Sequence, residues 1–93
     1  MITSTANKQI KELVQLIKKS KARKEQRVFV VEGIRMFVEA PKDWIQAVYA
    51  SESFLKEPEH LECLNGYDYE EVSDSVFAAV SDTKTPQGIL CVV

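Results

Sequence analysis

Residues 23–33, RKEQRVFVVEG, join a basic segment directly to an apolar run. Residues 28–31 of this stretch are uninterrupted, apolar and rich in β-branched side chains, which predicts a strand covered on both faces. Gly33 ends the strand, because glycine adopts backbone angles that other residues avoid. A helix with a buried face is predicted next, stopped by Pro41 and built on Ile34, Phe37 and Val38. The stretch therefore predicts the first β-α unit of the fold, with basic residues around it.

Upstream of this unit, the apolar residues between 4 and 20 recur at helical spacing and predict an amphipathic helix, with Ser4, Thr5 or Asn7 as its N-cap. Its buried face consists of Ile10, Leu13, Val14 and Ile17. Its solvent face is basic and consists of Lys8, Lys11, Lys18 and Lys19. The helical apolar pattern has ended by residue 21, so residues 21–27 are expected to form a loop.

Downstream, strand and helix patterns alternate. Strands are predicted at residues 44–50, 67–72 and 89–93, with 67–72 at an edge of the sheet and 89–93 at its centre. The helices between them bury Leu61 and Leu64 in one case and Val76, Phe77 and Val80 in the other. The chain is therefore predicted to have an α/β fold, a three-layer α/β/α sandwich with a mixed sheet of about four strands, formed as a single domain by residues 1–93.

Composition excludes several classes of protein. The chain has 93 residues, of which 45% are hydrophobic and 28% charged, which is typical of an ordinary globular domain. No apolar stretch approaches the ~20 residues that cross a bilayer, so no membrane is expected as a partner. With two cysteines and no secretory signal, we expect no disulfide framework and a cytoplasmic location. Cys91 is expected in the core, and His60 with Cys63 is too small a set of ligands for a zinc site.

Charge divides the chain in two. Residues 1–35 carry nine Lys or Arg against three Glu, a net charge of +6, whereas residues 36–93 carry three Lys against eleven Asp or Glu, a net charge of −8. A polyanion would be attracted to the first part and repelled by the second. A basic run also occurs on an ordinary solvated surface, so both readings stay open at this point.

Several short motifs, taken in order, resemble one known family. They are Ser4, Asn7 and Lys11 in the first helix, Arg23, Phe29 with Glu32-Gly33, and the closing Thr85-Pro86-Gln87-Gly88. Over nearly its whole length the chain resembles the N-terminal substrate-binding domain of the SpoU (TrmH) family of RNA 2′-O-ribose methyltransferases. The resemblance implies an RNA-binding fold similar to that of certain ribosomal proteins. It also implies a SPOUT catalytic domain, expected after residue 93, that binds S-adenosylmethionine and forms a homodimer.

The resemblance also limits what this chain does. The family's motifs for the methyl donor and the ribose would lie beyond Val93, so no catalytic, cofactor or metal residue is expected, and the 93 residues should bind RNA without methylating it. Ribosomal RNA is favoured over transfer RNA, because family members with this additional N-terminal domain mostly resemble ribosomal RNA enzymes. Kink-turn binders of this fold carry a Gly-x-Asn-Glu turn, whereas this chain has Glu32-Gly33-Ile34-Arg35. The alternatives are a stand-alone ribosomal or kink-turn binder and a protein interaction module that uses the acidic half.

The predicted RNA-binding residues are the cations of the basic stretch: Lys18, Lys19, Lys21, Arg23, Lys24, Arg27 and Arg35. Arg23 is the candidate for a specific contact, because a guanidinium grips a phosphate in two places or stacks on an unpaired base. The alternative is that Arg23 pairs with Glu25 or with a helix-end carbonyl. Four aromatic residues are candidates for base stacking, although strand aromatics usually belong to the core: Trp44, Tyr49, Tyr67 and Tyr69.

Overall fold

The computed structural model describes residues 1–81 and 86–93. The helices are α1 (Lys8–Lys18), α2 (Ser20–Gln26), α3 (Ile34–Glu39), α4 (Glu52–Leu55), α5 (Pro58–Cys63) and α6 (Asp74–Val80), with a short 3-10 turn at Lys42–Trp44. The strands are β1 (Val30–Glu32), β2 (Ala47–Ser51), β3 (Glu70–Val72) and β4 (Ile89–Val92). Asn7, one of the three N-cap candidates, accepts hydrogen bonds at the start of α1 from the amides of Gln9 and Ile10.

The four strands form one mixed sheet in the order β1-β4-β2-β3. Strand β4 is antiparallel to both of its neighbours, and β2 is parallel to β3. The predictions of a mixed sheet, of a central last strand and of an edge position for β3 are confirmed. Next to β3, Ile2 forms a single parallel bridge with Val72, so the start of the chain covers part of this edge.

Helices cover both faces of the sheet, which confirms the three-layer arrangement. On the first face, α1 and α6 bury residues such as Leu13 and Phe77 against β2, β3 and β4. On the second face, Phe37 of α3 and Phe54 of α4 pack against β2 and β4. Cys91 of β4 lies in this second cluster and is fully buried, as expected from the apolar run around it.

The prediction that residues 28–31 form a strand covered on both faces is wrong. Strand β1 runs from Val30 to Glu32, its residues are only half-buried, and it lies at the free edge of the sheet. Phe29, just before it, has 70% of its surface exposed. The reason is topological: β4 takes the central position between β1 and β2, and an apolar run does not by itself distinguish a central strand from an edge strand.

The prediction of a loop at residues 21–27 is also wrong, because residues 20–26 form helix α2. Lys19 has an extended backbone and separates α2 from α1. None of the α2 residues is buried, so the helix carries no apolar period that the sequence could reveal. Lys, Ala, Arg, Glu and Gln are all good helix formers, and this propensity favours helix where packing does not decide.

Several side chains near the ends of helices and strands are more exposed than the sequence predicts. Trp44 was expected in a strand but ends the 3-10 turn, with 67% of its surface exposed. Val38 and Leu61 were expected in buried helix faces and are exposed, because α3 and α5 are only six residues long and each buries less than a full stripe. Strand β3 begins at Glu70, so Tyr67 and Tyr69 precede it.

Burial predicts a clear difference in reactivity between the two thiols. Cys63 is partly exposed, whereas Cys91 is buried in β4 and desolvation raises its pKa to about 11. At pH 8 a thiol reagent should modify one cysteine of the folded chain and reach the second only in denaturant. The Cys63→Ser variant is the control and should show no reactive thiol while folded. Rapid modification of the folded Cys63→Ser variant would contradict the position of β4.

Candidate nucleic-acid interface

The junction of α1 and α2 is held by one arginine. Arg23 Nη1 donates to the carbonyl oxygens of Leu16 at 2.7 Å and Ile17 at 2.9 Å. These carbonyls belong to the last turn of α1, where the final four carbonyls lack partners within the helix and the dipole favours a cation. Arg23 therefore fixes α2 against the end of α1. The carbonyl contact is one of the two alternatives to an RNA role for Arg23, and the RNA role stays a prediction.

The remaining cations of this region lie exposed on these two helices or at their ends: Lys18, Lys19, Lys21, Lys24 and Arg27. Lys21 Nζ lies 3.9 Å from Glu25 Oε1, but both side chains are largely exposed, so the pair does little to neutralise the surface. Within residues 1–81 and 86–93, the other four cations form no ion pair. The structure thus brings six of the seven predicted residues together, and most of their charge is available to a ligand.

Arg27 ends α2 in an unusual backbone conformation. Its φ is +57°, the left-handed region that non-glycine residues seldom occupy, and its amide donates to the carbonyls of Arg23 and Lys24. This closing turn leads the chain from α2 into β1. Between the helix and the start of the strand lies a groove of about 440 Å³, lined by Ser20, Arg23, Lys24, Arg27, Val28 and Phe29.

Arg35 is separated from the other six residues. It lies in α3, beyond the end of β1, and α3 packs on the second face of the sheet whereas α1 packs on the first. Its Nε is 3.4 Å from Glu39 Oε1 on the next turn of the helix. A single ligand bound to α1 and α2 would have to extend around the edge of the sheet to reach Arg35.

The turn residues of the predicted motif have structural partners. Gln87 Oε1 accepts a hydrogen bond from the Ile34 amide at 3.0 Å, at the start of α3. Gly88 has a φ of +96°, and a Cβ there would lie 2.6 Å from Ser51 Oγ. These contacts fix the turn that leads the chain into β4. Thr85 of the motif lies outside the described residues.

Glu32 of the predicted motif lies two residues before the start of α3. The structure places it at the end of β1, where its Oε2 accepts a hydrogen bond from Ser81 Oγ at 2.7 Å. The exposed amide at the start of α3 is instead bonded to Gln87. Glu32 therefore links β1 to the residue after α6.

Two of the four aromatic candidates are packed into the protein. Tyr49 is buried on β2, and burial, followed by the nearby charges of Glu70 and Glu12, raises its pKa. Tyr67 packs against Phe37, with ring centroids 4.8 Å apart. Trp44 and Tyr69 are exposed, but both lie outside the groove beside α2. The aromatic residue that does line this groove is Phe29, which the sequence placed in a buried strand.

The comparisons with known proteins agree with this fold and with the sequence motifs. A family model described as the MRM3-like substrate binding domain matches residues 7–91. A solved structure of an RNA 2′-O ribose methyltransferase is similar at 34% identity and a TM-score of 0.78, over 98% of this chain and 36% of that one. The chain belongs to the MRM3-like substrate binding domain family. This finding confirms the resemblance to the substrate-binding domain of RNA 2′-O-ribose methyltransferases.

More distant structures share the fold of this substrate-binding domain. An rRNA methyltransferase from Sinorhizobium meliloti is 23% identical with a TM-score of 0.73, over 98% of this chain and 35% of that one. Its AdoMet-bound structure has a TM-score of 0.71 at the same identity, over 98% of this chain and 34% of that one. No curated protein sequence matches the chain. The substrate-binding domain spans about a third of the length of each of these solved structures.

The contact of Arg23 with α1 predicts a cost to stability when it is changed. In this substrate-binding domain, Arg23→Lys keeps the charge but has no Nη1 to donate to both carbonyls of α1, and we expect a loss of about 1 kcal/mol in the free energy of unfolding. Lys24→Arg is the matched control on the same helix and should change this free energy by less than about 0.5 kcal/mol. Urea denaturation measures both. Equal stability of Arg23→Lys and the parent would mean that Arg23 does not hold the helix junction.

Proposed function

We propose that this chain is the domain that recognises the RNA substrate of a SpoU/TrmH-type RNA 2′-O-ribose methyltransferase, and that the RNA is ribosomal. The family relationship supplies the class of substrate. The observation that carries RNA binding is the surface formed by α1 and α2, where Lys18, Lys19, Lys24 and Arg27 are exposed without ion pairs among the described residues. A surface of this kind binds phosphates, and it lies in the half of the chain with a net charge of +6.

The fold explains why this surface suits a long polyanion better than a small anion. The cations project from two successive helices, and Arg23 fixes the second helix against the end of the first. Their charges are thus spread along a fixed surface, as required for contact with several phosphates of one strand. The acidic residues of the second half, Glu70 of the edge strand β3 among them, disfavour RNA binding there.

The activity of the whole protein is part of the same proposal. The relatives are about three times longer than this chain, and one of them is an RNA 2′-O ribose methyltransferase. We propose a full-length cytoplasmic enzyme in which a SPOUT domain binds S-adenosylmethionine and forms a homodimer, while the present domain holds the RNA. Its ribosomal specificity is suggested by the name of the Sinorhizobium meliloti rRNA methyltransferase.

Salt dependence tests RNA binding through this surface. If about four cations contact single-stranded RNA, log affinity should fall with log salt at a slope of roughly −3, about −0.7 per phosphate. The Lys18→Gln, Lys24→Gln double variant removes two of these contacts and should bring the slope to roughly −1.5. Fluorescence anisotropy with a labelled ribosomal RNA fragment, at several salt concentrations, measures the slope.

The matched control removes the same charge from the acidic half. The Lys42→Gln, Lys56→Gln double variant should keep the slope of the parent, because neither residue belongs to the surface of α1 and α2. A third variant, Arg35→Gln, tests whether the separated seventh cation contacts the RNA, since the slope should stay that of the parent if it does not. Equal losses in the two double variants would show a non-specific effect of net charge, and an absence of binding by the parent chain would contradict the proposed function.

In the proposed enzyme the present domain holds the RNA, and the SPOUT domain binds the methyl donor. With this division, the 93 residues alone are expected not to bind S-adenosylmethionine. The methyl-donor and ribose motifs of the family would lie beyond Val93, and the chain has no glycine motif that cradles a nucleoside or phosphate. Titration of S-adenosylmethionine into the chain should give only heats of dilution in a calorimeter. A saturable heat at one molecule per chain would contradict this division.

A further inference from the structure

Phe29 is an apolar side chain held in an exposed position. Some 70% of its surface is accessible, although its neighbour Val28 is buried. Its backbone is fixed, because its amide donates to the Val93 carbonyl and its carbonyl accepts from the Val93 amide, both at 2.8 Å. The ring is therefore presented to solvent from a paired strand end and not from a free loop.

The surroundings of Phe29 are cationic. The ring lines the same groove as Arg23, Lys24 and Arg27, and at about 440 Å³ this groove is of the size of small-ligand sites. Over the described ranges, 1–81 and 86–93, Lys24 and Arg27 form no ion pair, so no carboxylate within these ranges neutralises their charges. An apolar ring beside three cations is suited to a ligand that combines negative charge with a flat apolar surface.

We propose that Phe29 stacks on an unpaired base of the bound RNA, while Lys24 and Arg27 hold the adjoining phosphates. This inference rests on the proposed function and adds to it the form of RNA that is recognised, a single-stranded segment. An aromatic face accepts any base that is splayed out, whereas the bases of a duplex are already stacked on one another. A protein partner would need an anionic segment with its own apolar residue, and the charge of the groove favours RNA.

The inference is tested with three protein chains and two RNA probes. The chains are the parent, Phe29→Leu, which keeps an apolar residue without the ring, and Tyr69→Leu, the matched change at an exposed aromatic of the acidic half. The probes are an unstructured 12-nucleotide RNA and an abasic oligonucleotide of equal length and charge. Circular dichroism of each variant establishes that it is folded, which we expect because Phe29 is largely exposed.

Loss of a base stack should weaken binding of Phe29→Leu to the 12-nucleotide RNA by about fivefold or more, with an unchanged salt slope, since no charge is removed. Tyr69→Leu should bind as the parent does. The parent should bind the abasic probe more weakly than it binds the 12-nucleotide RNA. Phe29→Leu should bind the abasic probe with the same affinity as the parent does, because removing the base and removing the ring abolish the same interaction.

Other outcomes overturn the inference in distinguishable ways. If the parent binds RNA and Phe29→Leu binds it equally well, the proposed function stands and the stacking role of Phe29 is wrong. If the parent binds no RNA, the proposed function and the stacking role of Phe29 are both wrong. If Phe29→Leu changes only self-association in sedimentation velocity, with RNA affinity as in the parent, the ring serves a protein contact and the stacking role is again wrong.

Discussion

The position of β4 determines most of this structure. It pairs with β1 on one side and β2 on the other, and all four of its residues are buried. The pairing continues beyond the strand, where Val93 exchanges hydrogen bonds with Phe29. Because a central strand fixes the ends of both neighbours, it also fixes where the chain leaves α2 and enters β1. Phe29, which lines the groove beside α2, is thus held in place by Val93, a residue more than sixty positions further along the chain.

The second constraint is the contact between Arg23 and the end of α1. It gives one basic side chain a structural role inside a surface whose other cations face solvent. The protein therefore separates two uses of positive charge: one cation stabilises the helix junction, and its neighbours keep their charge for a ligand. Arg35, paired with Glu39 on the opposite face, belongs to neither group.

The layers of the fold could be predicted because their apolar residues follow regular patterns. Helices α1 and α6 each bury one face, and all four residues of β4 are buried. The helix at residues 20–26 was missed because none of its residues is fully buried and only Ala22 packs against the core, whereas periodicity detects a repeated buried face. The exposure of Phe29 was missed for a different reason. Whether an apolar strand lies at the centre or the edge depends on pairing order, which is a property of the whole chain. For the same reason, the sequence indicated the basic residues of the proposed interface but not the exposed aromatic residue, Phe29, that lies among them.

The claim that α1 and α2 form the RNA-binding surface is tested most directly by locating the bound RNA on the chain. In ¹H-¹⁵N correlation spectra of the 93-residue chain titrated with a ribosomal RNA fragment, the account predicts shifts confined to amides of residues 18–29 and of Val93, which is paired with Phe29. Amides of α5 and β3 should stay unchanged. Shifts centred instead on Gly33 and Gln87, at the opposite end of β1, would contradict the account.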